Sequence, residues 1–160
     1  MNRGSNSSVL GTVHVQSVLC GHAPDVVARA MAHLERAADI AIAAGVAQSV
    51  SLIFGDCSPS PALRDSVEAL RRPDSAFSLL GYRFFGAGVG SARGHNRLFR
   101  EAHADAVLLM APDVMVAPNL LLELAKPFAE RSAGLVEAKQ LPIEDPKAYD
   151  AANGETAFPL

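Results

Sequence analysis

Two aspartates follow strand-like runs of the chain, and each could present a carboxylate to a ligand. Asp56 comes just after the β-rich run 49–54, and Pro112 sets Asp113 off from the strand-like run 105–110. A carboxylate in the first position can accept hydrogen bonds from a nucleotide base or a ribose hydroxyl. One in the second can hold Mg²⁺ or Mn²⁺ between diphosphate oxygens, because hard cations prefer oxygen ligands. For Asp56, a cap on the turn that follows is the structural alternative.

A glycine-rich turn lies between these aspartates. Four glycines precede or open a predicted helix over 91–103: Gly86, Gly88, Gly90 and Gly94. Backbone N–H groups of such a turn, followed by a helix N-terminus, suit a diphosphate. The spacing also resembles a variant of the dinucleotide-binding fingerprint, with Asp113 at the distance of a ribose contact. A tight turn that needs positive φ and binds no ligand is the alternative.

Polar side chains near this turn are further candidates. Asn96, in the same predicted helix, could contact a pyrimidine or a pyrophosphate, and Arg93 could meet a phosphate. A solvated helix face is the ordinary use of both residue types. His22 is retained as a loop contact. Cys20 and Cys57 each follow a predicted strand, so we expect them near one another at one sheet edge, as reduced, semi-buried thiols or with a catalytic or redox role.

The elements that must position these residues alternate between strand and helix patterns. Strands are predicted over 12–19, 49–54, 77–85, 105–110 and 134–138, and helices from 25 to the stop at 45, from an N-cap at 60 to 70, over 91–103, and from 118 to an end or kink at 127. The fourth strand contains Val107, Leu108, Leu109 and Met110 in succession, which predicts a place at the sheet centre. The alternation predicts a Rossmann-like three-layer α/β/α sandwich with a mostly parallel sheet, whose carboxyl edge binds ligands.

Composition excludes several classes of protein. The chain has 160 residues and is 49% apolar, which fits one globular domain over 12–160 behind a flexible segment 1–11. Its 14 basic and 17 acidic residues are scattered, so no nucleic-acid partner is expected. No apolar run reaches the roughly 18 residues of a membrane span, and no signal core follows the start, which favours the cytoplasm. GxSxG, GxxxxGK[ST] and CxxC motifs are absent.

Three segments together resemble the family 2 glycosyltransferases, in particular rhamnosyltransferase-like members with a GT-A fold. They are Ile53-Phe54-Gly55-Asp56-Cys57-Ser58, Gly90-Ser91-Ala92-Arg93-Gly94-His95-Asn96-Arg97 and Val107-Leu108-Leu109-Met110-Ala111-Pro112-Asp113-Val114. The resemblance covers nearly all of 13–158, including a tail over 136–158. It implies inverting transfer of a sugar from a nucleoside-diphosphate sugar to a glycan or lipid-linked acceptor, as in polysaccharide synthesis. It also implies an enzyme in the cytoplasm or peripheral at the inner face of the membrane.

Site residues are carried over by position. The resemblance implies that Asp56 binds the nucleotide base, that Gly90 and Asn96 line the nucleotide pocket with Ser58 beside them, and that Asp113 belongs to the motif for Mg²⁺ or Mn²⁺ and the diphosphate. The chain departs from the family where Gly88 replaces a common Asn, where Cys20-Gly21-His22 replaces the usual loop, and where Ala111 takes the first metal-motif position.

The part of the transferase that holds the catalytic base is expected in an acceptor-binding half beyond these residues. We therefore assign no base and expect the 160-residue chain alone to have little or no transferase activity. A sheet edge left exposed in this way could drive formation of a homo-oligomer. Two alternatives remain open: an NAD(P)-binding Rossmann domain, and a degenerate domain that serves as a non-catalytic nucleotide-sugar-binding or scaffolding module.

Overall fold

The computed structural model describes residues 10–129 and 132–140. In chain order its elements are β1 (Gly11–Leu19), α1 (Pro24–Ala43), β2 (Ala47–Asp56), α2 (Arg64–Ala69), β3 (Phe77–Phe84), α3 (Ser91–Glu101), β4 (Ala106–Leu109) and α4 (Leu120–Phe128). All strand pairs are parallel, and the sheet order is β3-β2-β1-β4. The predicted α/β class with a parallel sheet is confirmed. The tail over 141–158 and most of the expected flexible start lie outside the described residues.

The long helix α1 forms the main cover of the sheet. Its apolar residues recur at helical spacing, and Leu34, Ala38 and Ala41 are fully buried on the face toward β1 and β2. The predicted stop is confirmed, since Gly45 has a φ of 69° and donates its N–H to Ile42 O at 2.9 Å. Only a residue that tolerates positive φ can close a helix in this way.

Strand alternation divides the core into two layers. Val13 and Val15 of β1 pack in a large cluster with side chains of α1, α2 and α4, whereas Val18 packs with Ile53 and Leu98 on the face that α3 covers. Right-handed crossovers require this division, because the chain runs from β1 outward to β3 and then returns across the sheet to β4. The strand order therefore reverses between β1 and β4, where open α/β sheets bind ligands.

The prediction that the fourth strand lies at the sheet centre is wrong. β4 has only four residues and pairs with β1 alone in the part of the chain that the structure describes. Leu109 is 56% exposed, while Met110 leaves the strand and is buried against the main core. An apolar run predicts burial but not a central position in the sheet. Here part of the burial comes from Met110, which lies in the loop after β4. β1 and β2 are the central strands.

Other predicted boundaries also need correction. The predicted strand over 134–138 is wrong: residues 132–140 are in neither helix nor strand, and Leu135 is 90% exposed. The second helix begins at Arg64, because Pro61 forms a turn in which its carbonyl accepts the Arg64 N–H at 3.0 Å. α4 ends one residue after Pro127, as expected of a residue that has no N–H to continue the helix.

Candidate ligand-binding edge of the sheet

The loops that follow the four strands meet at one edge, which we call the carboxyl edge. Leu19 pairs with Asp56, and the ladder continues beyond them, since Cys57 N–H donates to Leu19 O at 2.8 Å. β4 leaves the sheet earlier, where Met110 N–H donates to Gln16 O at 3.0 Å. The loop that carries Asp113 therefore leaves the sheet beside the last residues of β1. The predicted meeting of these loops at the same edge is observed.

Asp56 is held by the protein itself. Its side chain is fully buried, its Oδ1 accepts the Ser58 N–H at 2.8 Å, and its Oδ2 accepts the Tyr82 hydroxyl. Burial and this hydrogen bond raise the pKa of Tyr82. Both carboxylate oxygens thus have partners within the chain, so the turn-capping role of Asp56 is observed. Contact with a nucleotide base stays a prediction, and it requires the loop to open.

Ser58 joins two loops of the carboxyl edge. It is buried, and its Oγ accepts the Gly21 N–H at 2.9 Å, which connects the loop after β1 to the loop after β2. The Cys20 N–H is accepted by His22 Nδ1 at 3.0 Å, so this imidazole carries its proton on Nε2 when neutral. The shape of the loop after β1 is therefore set by local hydrogen bonds.

The glycine-rich turn has the conformation that its composition predicts. Gly86, Gly88 and Gly90 have φ values of 79°, 83° and 73°, and a Cβ on any of them would meet open space. The positive φ alone accounts for glycine here, which is the structural alternative. The open space, however, also leaves the backbone accessible to a ligand.

The N-terminus of α3 follows directly and is suited to an anion. Gly90 is its N-cap, has no side chain to accept the first N–H groups, and is followed by a first turn without an acidic residue. The first backbone N–H groups of a helix have no partner inside it and carry the positive end of the helix dipole. By contrast, α1 begins at Pro24 and carries Asp25 in its first turn. Of these two helix starts, that of α3 is the better phosphate site.

Gly94 fixes where this helix start lies. A Cβ at Gly94 would come within 3.0 Å of the Val18 side chain and 3.2 Å of Cys57 Sγ. The glycine thus allows α3 to approach the ends of β1 and β2 closely. The sequence spacing indicated a fingerprint glycine, and the structure shows the packing role that such a glycine has between helix and sheet.

Asn96 and the arginines of α3 are separated from the buried aspartate. Gly94 and Leu98 face the sheet, so Asn96, midway between them, lies on the opposite side of the helix and is exposed. Arg93 is exposed in the first turn, while the guanidinium of Arg97 stacks 5.2 Å from the Phe85 ring centroid. The structure does not bring Asn96 to Asp56, and its ligand role stays a prediction.

Asp113 lies on the other side of β1 from Asp56. It is exposed in the turn after β4, whereas Asp56 ends β2. The strand β1 lies between β2 and β4, the two strands that these aspartates end or follow. Among residues 10–129 and 132–140, no three His, Cys, Asp or Glu side chains gather to hold a metal. Asp113 offers a single accessible carboxylate, so metal binding there would need ligands from diphosphate and water.

A large open cavity lies elsewhere. It has a volume of about 1160 Å³ and runs along the amino end and free edge of β4, between Leu10, Leu109, Leu121 and Leu135. It does not include the carboxyl edge. Placing β4 at the sheet centre gave no reason to expect this groove.

Two hydrogen-bonding residues of this region, Tyr82 and Gln16, were not predicted from the sequence. Tyr82 lies on β3, the strand that pairs with β2, and a phenolic hydroxyl within a predicted strand was its only signal. Gln16 is fully buried on β1 and donates from Nε2 to His95 Nδ1 and to His95 O, both at 3.1 Å. Burial lowers the pKa of His95. This pair anchors the middle of α3 to the central strand.

Comparison with known proteins identifies no family for this chain. The chain matches no protein-family model and no curated protein sequence. Within the described ranges, every helix is too short or too polar to cross a membrane.

Proposed function

We propose that this chain is the nucleotide-sugar-binding part of a glycosyltransferase. One observation carries the proposal: the N-terminus of α3, which has no side-chain cap and follows an open glycine turn, lies over the carboxyl ends of the two central strands. A diphosphate carries the charge and oxygens that such a site binds. The segments around Asp56 and Asp113, which resemble the family 2 transferases, follow β2 and β4 at the same edge of the sheet.

The arrangement suits a reaction in which a nucleoside diphosphate departs. As the acceptor hydroxyl attacks the anomeric carbon, negative charge develops on the leaving diphosphate. The N–H groups after Gly90, the helix dipole and the Arg93 guanidinium would stabilise that charge. Asp113 would hold Mg²⁺ or Mn²⁺, which supplies further positive charge to the diphosphate. The residue that takes the acceptor proton is not assigned within this chain.

The remaining parts of the proposal follow from the resemblance. The acceptor is a glycan or a lipid-linked sugar, the stereochemistry is inverting, and the enzyme works in the cytoplasm or at the inner face of the membrane. The position of the glycines argues against a dinucleotide domain. In that fold the phosphate loop follows the first strand, whereas these glycines follow β3 at the sheet edge. A degenerate binding module, suggested by Ala111, would keep the fold and lose the ligand.

Titration calorimetry tests the proposal directly. The chain is titrated with UDP, dTDP and GDP, each with and without Mn²⁺, and with NADPH as the competing ligand class. We expect saturable binding of one nucleoside diphosphate, strengthened by Mn²⁺. Binding of NADPH alone would replace the proposal with a dinucleotide-binding domain. Absence of binding by all four ligands would indicate a degenerate module.

Paired variants then locate the site. Arg93→Gln should weaken nucleoside-diphosphate binding by about 1 kcal/mol or more, since it removes a charged partner of phosphate. Arg100→Gln, a change to an exposed arginine at the other end of α3, should leave binding unchanged. Likewise Asp113→Asn should abolish the Mn²⁺ effect, while Asp39→Asn, at an exposed position on α1, should preserve it. Equal effects within either pair would contradict the proposed site.

A further inference from the structure

Two thiols meet where the central strands end. The parallel register pairs Leu19 with Asp56, the last residues of β1 and β2, and Cys20 and Cys57 come directly after them. The hydrogen bond from Cys57 N–H to Leu19 O, 2.8 Å long, shows that the ladder continues to this level. Residues at equivalent positions of neighbouring strands have Cα atoms about 4.8 Å apart and side chains on the same face. A disulfide requires a Cα separation of roughly 4.4–6.8 Å.

The two thiols are neighbours but differ in their surroundings. Burial, and then the neighbouring Cys20 thiol, raise the pKa of Cys57, and neither cysteine is in a disulfide. Cys20 is exposed at the surface, whereas Cys57 is buried and its Sγ donates to Gly90 O at 3.7 Å. One thiol is thus open to a reagent in solution, and the second is placed to react only with the first.

We propose that Cys20 and Cys57 form a reversible intramolecular disulfide that links the loops after β1 and β2. The oxidant is a low-molecular-weight disulfide. The Cys20 thiolate attacks it, forms a mixed disulfide and releases one thiolate. The Cys57 thiolate then attacks the Cys20 sulfur, which breaks the mixed disulfide and releases the second thiolate. Two protein thiols are oxidised, one small disulfide is reduced to two thiols, and the two protons leave with those thiols or with solvent.

The bond would change the carboxyl edge in two ways. It closes a covalent loop over 20–57 and adds to the Gly21–Ser58 hydrogen bond that already joins these turns. It also removes the hydrogen that Cys57 Sγ donates to Gly90 O, the N-cap residue of α3. Oxidation therefore changes the hydrogen bonding at the start of α3. This effect depends neither on which ligand binds there nor on the proposed function.

Oxidised glutathione serves as the probe. The sequence contains only two cysteines, so titration of free thiols and intact mass report directly on this pair. We expect both thiols to disappear, the mass to fall by two hydrogen atoms, and a linked Cys20–Cys57 peptide to appear after digestion. The closed loop should raise Tm by about 5–10 °C, and dithiothreitol should reverse the shift.

Single variants separate the two steps. Cys57→Ser should accumulate one glutathione on Cys20, because no second thiol displaces it. Cys20→Ser should leave Cys57 unmodified, because that thiol is buried. A wild-type protein that retains a stable glutathione adduct, or that forms only disulfide-linked dimers, would overturn the proposal. The peptide map of the wild type decides the matter even if a variant does not fold.

Discussion

Removing the Tyr82 hydroxyl tests whether Asp56 is primarily a structural carboxylate. In the folded chain this hydroxyl is the partner of Asp56 Oδ2, and the aspartate has no exposed surface through which water could replace it. Tyr82→Phe keeps the ring, including its stacking under the Arg64 guanidinium at 5.3 Å, and deletes only the donor. The variant therefore leaves a buried carboxylate oxygen without its protein partner.

The cost follows from the kind of bond that is lost. Hydrogen bonds to charged groups contribute about 1.5–3 kcal/mol, and a buried acceptor left unpaired lies at the upper end of that range. We expect the free energy of unfolding to fall by about 2 kcal/mol, because loop relaxation can recover part of the loss. For a chain of this size such a change lowers Tm by roughly 4–8 °C.

Urea unfolding followed by circular dichroism measures this change. A loss of about 2 kcal/mol moves the urea midpoint by roughly 1 M at an unchanged slope. Ser78→Ala is the matched control: it deletes a hydroxyl from the same strand, one that donates to Val50 O at 3.1 Å but lies on an exposed residue. Its effect should stay within about 0.5 kcal/mol.

Asp56→Asn gives an independent check. The amide keeps an oxygen that can accept the Ser58 N–H, and its nitrogen can donate to the Tyr82 hydroxyl oxygen, so both contacts survive. We expect a smaller loss than in Tyr82→Phe. If Tyr82→Phe is as stable as the wild type, the Asp56 carboxylate is not held as described, and its availability to a ligand in the folded state must be reconsidered.

Three further predictions concern other parts of the fold. Gly94→Ala should lower the free energy of unfolding by about 1 kcal/mol or more in urea titrations, since overpacking against Val18 outweighs the gain in helix propensity; a more stable variant would contradict the packing role. Glu35→Ala should cost about 2–3 kcal/mol, because this buried carboxylate accepts hydrogen bonds from the segment before β3, and Glu35→Gln should cost less. Burial lowers the pKa of His14 and His95, so below about pH 6.5 these imidazoles bind protons more readily in the unfolded chain than in the folded chain. Urea midpoints should therefore fall from pH 7 to pH 5, and a flat profile would refute this.

The sequence predicted the fold where local signals and packing agree. The α1 periodicity with its stop at Gly45, and the turns with positive φ, depend on neighbouring residues and are found as expected. The position of β4 depends on which strands lie beside it, and local hydrophobicity carries no such information. The predicted strand over 134–138 failed for the same reason, since a short apolar run becomes a strand only when a partner is present.

The candidate site shows the same limit at the level of side chains. The spacing of Asp56, Gly90 and Asp113 after their strands placed them at one edge, which the parallel register confirms. It could not show that Tyr82 occupies one oxygen of Asp56, because that contact joins different strands. Nor could it show that β1 separates the two aspartates, which follows from strand order alone.

The unequal division of the core between the two faces of the sheet has a consequence for local unfolding. Among the residues that the structure describes, α3 packs on a cluster of four buried side chains, whereas the opposite face of the sheet shares a cluster of 23. Regions with few buried contacts open at lower free energy than the rest of a domain. Amides of α3 should therefore exchange with solvent before those of α1 and β2, as a separate cooperative unit. A ligand that binds at the start of α3 would slow that exchange, so the exchange rates of the α3 amides would report occupancy of the site.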